Sequence, residues 1–239
     1  MSERALEVMD EVELVVGYKT YLELIASVIR GKETYSTGMT REVDRVTAAI
    51  DNALNGRSCA LISGGDPGVY AMAGLVLEIL SRRGIECNTG AEESLELEVV
   101  PGIPALCAGA ALLGAPLTHD FAAISLSDLL TPWDKIEKRL DAAAAADFVI
   151  VIYNPVSRKR NWQLGRAREI MLRHKAENTP VGIVRGAMRE NQRIQTGFLK
   201  DLHILEVDMQ SIVFVGNRST YHWKNFMITP RGYSGKYAI

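Results

Sequence analysis

Cysteine is scarce in this 239-residue chain: Cys59, Cys87 and Cys107 are odd in number, far apart and without C-x-x-C spacing. That pattern excludes a disulfide framework and a zinc ribbon. The apolar segments around them make buried, inert thiols the expectation. No apolar run approaches the ~20 residues needed to cross a bilayer, and the longest, Phe148–Tyr153, has the length of a strand. Met1–Asp10 is acidic and lacks the apolar core of a secretory signal. Neither sign of charge is in surplus, with 27 Lys and Arg against 29 Asp and Glu. A dedicated nucleic-acid binder would need a cationic excess. His119, His174, His203 and His222 show no metal-ligand spacing, so no protein-bound metal is expected. These absences describe a soluble, cytoplasmic protein with no nucleic-acid or membrane partner.

What is present is the material for a large core: 47% of the residues are hydrophobic and 23% charged, so burial can offset the entropy of ordering the chain. Short apolar runs alternate with longer amphipathic segments, which is the pattern of an α/β protein. Strands are predicted at 13–17, 58–62, 95–100, 122–126, 148–153, 180–184, 193–197 and 212–216. Helices are predicted at 20–29, 41–55, 69–83 (stopped by Gly84), 105–113, 133–146 and 162–174. Gly114-Ala115-Pro116 punctuates the chain near its middle. The expectation is two α/β domains, 1–115 and 116–239, with the boundary within about ten residues of that point and a cleft between them.

Three loops follow predicted strands, where ligands of open α/β sheets bind. The first, Ser63-Gly64-Gly65-Asp66-Pro67-Gly68-Val69-Tyr70, fits neither a P-loop nor a G-x-G-x-x-G fingerprint. Asp66 would repel a polyphosphate but would accept an amine, ribose hydroxyls or a sulfonium compound such as S-adenosylmethionine. Equally, an Asp here is good turn and helix-cap chemistry, and the residues alone leave both readings open. The second loop is Val100-Pro101-Gly102-Ile103-Pro104, with Pro104 suited to the first turn of a helix. The third, Tyr153-Asn154-Pro155, leads into the cations Arg158, Lys159 and Arg160. Those read either as a solvated turn or as carboxylate recognition.

Together with Val16–Tyr21, Ser36–Glu42, Val184–Arg193 and Val215–Tyr233, these loops resemble the tetrapyrrole (corrin/porphyrin) methyltransferases in order and over nearly the whole chain. Gly17-Tyr18-Lys19-Thr20-Tyr21 and Thr229-Pro230-Arg231-Gly232-Tyr233 are similar to the subgroup that methylates carbon 17 of precorrin-3B or cobalt-factor III. The resemblance implies S-adenosylmethionine bound between two α/β domains, S-adenosylhomocysteine as product, a small-molecule tetrapyrrole as substrate and a homodimer. It also implies ring contraction to precorrin-4 or cobalt-precorrin-4. Carried over by motif, Gly64, Gly65, Asp66, Val69, Pro104, Ala105, Asn154, Ala187, Thr229 and Pro230 would contact the cofactor. Lys19, Arg158, Arg185 and Arg218 are candidates for the substrate's carboxylates, and His119, Asp120 and Tyr18 for proton transfer. The family's opening strand and Gly-x-Gly-Pro-Gly loop have no counterpart here, and Met1–Glu11 reads as the helix that follows them. Cofactor binding is therefore expected to be more robust than turnover. A methylase of another ring carbon, a diphthine-synthase-like enzyme and a non-catalytic tetrapyrrole-binding module are the alternatives.

Overall fold

Sequence periodicity turns into structure most directly where one face of an element is apolar. The computed structural model describes residues 1–90, 94–157 and 160–238. The chain forms two compact units, Met1–Pro104 and Ala105–Ile239.

The first unit runs α1 (Glu3–Glu11), β1 (Leu14–Tyr18), α2 (Lys19–Leu24), β2 (Glu33–Thr37), α3 (Glu42–Leu54), β3 (Cys59–Leu61) and α4 (Ala73–Arg83). Its sheet is parallel, in the order β2-β1-β3. Central β1 reads Leu-Val-Val-Gly-Tyr and is buried on both faces, as an uninterrupted apolar run requires. Met9 and Val12 cover Val15 and Ala60 on one face, while Ala49 of α3 packs with Leu14 and Val16. Glu3–Glu11 of the predicted Met1–Glu11 segment is thus helical, capped by Ser2. Two expectations fail here. The helix at 20–29 stops at Leu24, and Val28 and Ile29 pack from turns instead. Residues 95–100 form no strand, only the isolated bridge Cys87–Leu95. Leu95 and Leu97 still pack beside Val46, Ile50 and Leu80. An alternating segment becomes a strand only when a neighbour takes its ladder hydrogen bonds, and β3 pairs with β1 alone among the described residues.

The second unit runs α5 (Ala105–Leu113), β4 (Gly114–Ala115), β5 (Phe121–Ser125), α6 (Trp133–Ala145), β6 (Val149–Tyr153), α7 (Gln163–Met171), β7 (Pro180–Arg185), β8 (Arg193–Phe198), β9 (Ser211–Val215), β10 (Tyr221–Trp223) and β11 (Phe226–Ile228). A five-stranded sheet, β5-β6-β9-β7-β8, holds its core. β5 is parallel to β6, while β9 runs antiparallel to both β6 and β7. The C-terminal ends of β5, β6 and β7 therefore share one end of the sheet. Ile136 and Leu140 of α6 and Ala167 and Ile170 of α7 cover one face. Helix α5 covers the other, with Leu113 among Val151, Val184 and Phe214. This packing moves the boundary between units from 115/116 to 104/105: α5 buries its apolar face on the second sheet. Its outward side carries Cys107, which is exposed, while Cys59 and Cys87 are half-buried, so the expectation of three buried thiols is corrected. Among the described residues, no His, Cys, Asp and Glu cluster has the geometry to hold a metal, and no helix is long and apolar enough to cross a membrane.

Candidate active site

In the first unit the glycine-rich loop leaves the C-terminal end of β3. Asp66 does two things at once there. Its Oδ1 accepts from the Gly68 amide at 2.8 Å, closing a local turn, and its Oδ2 accepts from the Gly102 amide at 3.0 Å. One carboxylate thus joins loops 36 residues apart in sequence. The join is tight, since a Cβ at Gly102 would lie 2.1 Å from the Gly65 carbonyl oxygen, so only glycine fits. The Gly102 amide first, and the Gly68 amide second, hold the Asp66 carboxyl below its usual range. Asp66 is not the helix cap, because α4 begins only at Ala73 with Met72 before it. Nor is it a bare anion, because both oxygens already receive amides.

Gly64 lies against the Tyr21 ring, which a Cβ at that position would approach to 2.8 Å. Tyr18 meets Tyr21 edge-on at 5.5 Å, and the guanidinium of Arg45 stands 6.0 Å from the Tyr18 ring. Arg45, only 5% exposed, donates to Thr37 Oγ1 and to the Gly38 carbonyl, which pins the end of β2. The Ser63 hydroxyl is buried at the same place without a hydrogen-bond partner among the described residues. A buried, unpaired hydroxyl beside backbone held open by glycine is what a bound polar ligand would complete. Lys19, next to Tyr18, is exposed, with Glu23 at 4.0 Å. Val69 is partly exposed, and its amide donates to the Asp66 carbonyl.

In the second unit, Asn154 follows β6 in the left-handed conformation, φ +50°. Its Nδ2 donates to Ser125 Oγ at the end of β5, and its carbonyl accepts from Arg160. The Tyr153 hydroxyl accepts from the Leu106 amide in the first turn of α5, which places Ala105 at this end too. Arg185 ends β7 and pairs with Asp208 at 2.6 Å. Ala187 follows directly, and the neighbouring Gly186 amide donates to the Gln210 carbonyl. Asn154, Ala105, Ala187 and Arg185 therefore share one end of the sheet. Tyr153 of the third loop belongs with them, as do Ser125 and Gln210, which no motif marks. Tyr153 and Ser125 were findable, as the residues that close the two strands leading to the motif.

His119, Asp120 and Arg218 do not join that group. His119 and Asp120 precede β5 and so sit at its opposite end, roughly 15 Å away at ~3.3 Å per residue. They line a cavity of about 300 Å³ with Asp147, Phe148, Asn217 and Ser219. The Arg218 amide donates to Asp147 at this same end. Thr229 is fully buried there: its amide donates to Ala115, its Oγ1 contacts Thr220 Oγ1, and its carbonyl accepts from Thr118. The Thr229 hydroxyl, amide and carbonyl are thus engaged within the fold, away from the Asn154 group. Of the three proton-transfer candidates only Tyr18 stands at strand C-terminal ends. Arg158 lies outside the described residues.

Comparison with known proteins bears on this geometry. Residues 1–203 match the pattern of the tetrapyrrole (corrin/porphyrin) methylases. The chain is 47% identical over 239 residues to the cobalt-factor III methyltransferase of Priestia megaterium, spanning all of this chain but 44% of that protein's length. It is 48% identical to the probable cobalt-factor III C(17)-methyltransferase of Salmonella typhimurium, over 98% of this chain and 94% of that one. The crystal structure of the methyltransferase CobJ superimposes with a TM-score of 0.87 at 35% identity, covering 96% of this chain and 93% of that one. With a glycine-shaped loop after β3, a second strand-end group around Asn154 and these relatives, the chain belongs to the tetrapyrrole methylase family and is a methyltransferase.

Proposed function

We propose that this chain transfers a methyl group from S-adenosylmethionine to carbon 17 of cobalt-factor III or precorrin-3B, with contraction of the ring, in cobalamin biosynthesis. The observation that carries the reading is the near-complete match, 94% of its length, to a relative named for that carbon. The geometry supports a polar ligand met mainly by main-chain groups, because the Ser63 hydroxyl is buried without a partner beside the glycine loop that Asp66 holds.

S-adenosylmethionine, when bound, supplies an electrophilic methyl on sulfur, so no covalent enzyme intermediate is required. The residues of this chain bind and align. Asp66 fixes the Gly64–Gly65 backbone against the Gly102 turn, so main-chain groups there need not reorganise when a ligand arrives. Ser63 Oγ offers an unpaired hydrogen-bonding group at the same loop. Val69, Pro104, Ala105, Asn154 and Ala187 complete the proposed contacts. Lys19, with Arg185, offers positive charge to substrate carboxylates, and Tyr18 is the hydroxyl placed for proton transfer. Alignment of this kind is worth roughly 7–11 kcal/mol of barrier for well-oriented reactants. The enzyme is proposed to work in the cytoplasm as a homodimer.

The test is incubation of the purified chain with labelled S-adenosylmethionine and either cobalt-factor III or precorrin-3B, read by mass spectrometry and NMR. One methyl at carbon 17 on a contracted ring is expected. A methyl on another ring carbon, or on a protein, overturns the assignment. Binding of donor and macrocycle without transfer identifies a binding module instead.

A further inference from the structure

The most exposed large apolar side chain among the described residues is Leu130, at 93%, and Leu129 beside it reaches 73%. Two adjacent leucines in water are unfavourable unless something covers them in use. The turn that carries them is firmly built. The Ser127 amide donates to Ser125 Oγ at 3.2 Å, and Asp128 Oδ2 accepts from Nε2 of Gln163, itself only 2% exposed. Beyond the leucines, Trp133 meets Trp162 edge-on at 4.8 Å, and its Nε1 donates to Glu137. The leucines are thus presented from a fixed base and do not trail from a loose loop.

Their place in the fold narrows what covers them. The turn continues from the C-terminal end of β5, and Ser125 Oγ, which holds its first residue, also accepts from Asn154 Nδ2. One hydroxyl therefore ties the leucine turn to the Asn154 end of the sheet. Arg160, whose guanidinium donates to the Asn154 carbonyl, adds a cation at that end. An apolar tip beside a cation matches a ligand with a greasy conjugated ring and carboxylates on its rim. A tip of two side chains is far smaller than the ~800 Å² that each partner contributes to a standard protein interface. We propose that Leu129 and Leu130 contact the ring of the macrocyclic substrate and set its affinity, with Arg160 receiving a peripheral carboxylate; this rests on the function proposed above.

Absorbance titration with cobalt-factor III tests it without requiring turnover. Replacing both residues (Leu129→Ser with Leu130→Ser) leaves the core untouched and is expected to weaken macrocycle binding by about tenfold or more. KM for the macrocycle should rise in parallel with kcat nearly unchanged. S-adenosylmethionine affinity by calorimetry should stay at the wild-type value. The conservative pair Leu129→Met and Leu130→Met should restore tight macrocycle binding. Unaltered macrocycle affinity in the serine variant, while the wild type binds and methylates normally, overturns this inference alone. A changed oligomeric state with unaltered macrocycle affinity assigns the leucines to a protein contact and overturns it as well. Failure of the wild type to bind any macrocycle brings down the proposed function, and this inference with it.

Discussion

The two ends of the second unit's sheet look, by residue type, the wrong way round. One end gathers His119, Asp120, Asp147, Lys175 and Arg218; the other has Asn154, Ser125 and Ala187, with Arg185 paired to Asp208 and Arg160 on the Asn154 carbonyl. Yet the chemically eventful end is self-contained. Lys175, with its side chain 1% exposed, donates to the Phe148 carbonyl at 2.9 Å and lies 3.5 Å from Asp147, which also receives the Arg218 amide. Burial pushes the Lys175 ammonium below its usual range, against the pull of Asp147. Thr118, Thr220 and Thr229 close the rest. Left-handed backbone occurs at both ends, at Asn154 and Met188 on one and at Asp147 on the other. At the His119 end charge is spent on holding the fold; at the Asn154 end Arg185 and Arg160 stand among the neutral groups proposed to meet the ligand.

That contrast breaks if the wrong end proves fragile or active. The largest effect is expected for Lys175→Ala, which leaves the Phe148 carbonyl without its donor and Asp147 with Arg218 alone, and should cost about 2–3 kcal/mol in urea unfolding. Donor affinity should hardly move in that variant; a stable Lys175→Ala protein would undo the structural reading. Asn154→Ala should do the reverse, weakening S-adenosylmethionine about tenfold in calorimetry at near-normal stability. Asn154→Gly, which tolerates the positive φ, should retain the turn and separate its geometry from the lost Ser125 contact.

A smaller effect concerns pH. His222 packs 5.6 Å from Phe198 with Nε2 buried and unpaired, and burial lowers its pKa from the ordinary 6.5. Below about pH 6.5 the unfolded chain takes up a proton there before the folded one does. Stability therefore falls as pH drops from that value toward the lowered one. In His222→Gln, this part of the acid sensitivity of the urea midpoint should vanish; an identical pH profile would show that the imidazole does not titrate differently on folding. The smallest effect is that of His119→Ala, where turnover should remain within about twofold of wild type. A large loss would return the chemistry to His119.

Much of this was legible in the sequence. Helix α5 runs over the predicted 105–113, and the buried strands β6, β7 and β9 lie within a residue or two of their apolar runs. The fold class and the glycine loop followed from the same reading. What failed depended on neighbours. The alternation at 95–100 carries no information on whether a partner strand lies beside it. Strand β2, Glu-Thr-Tyr-Ser-Thr, is an exposed edge without the apolar run that marks its fellows. The boundary at Gly114-Ala115-Pro116 was a break in chain direction, whereas the division of cores depends on which sheet α5 covers. That His119 and Asp120 stand apart from the Asn154 end was legible too. They precede a predicted strand, and ligand sites of such sheets gather after strands.

The double engagement of Asp66 has a mechanical outcome. Because a single carboxylate fastens both bends, neither can relax while the other stays in register. Whatever presses on the Gly102 turn is felt at Gly64 and Gly65, and the pair behaves as one hinge plate with one pin.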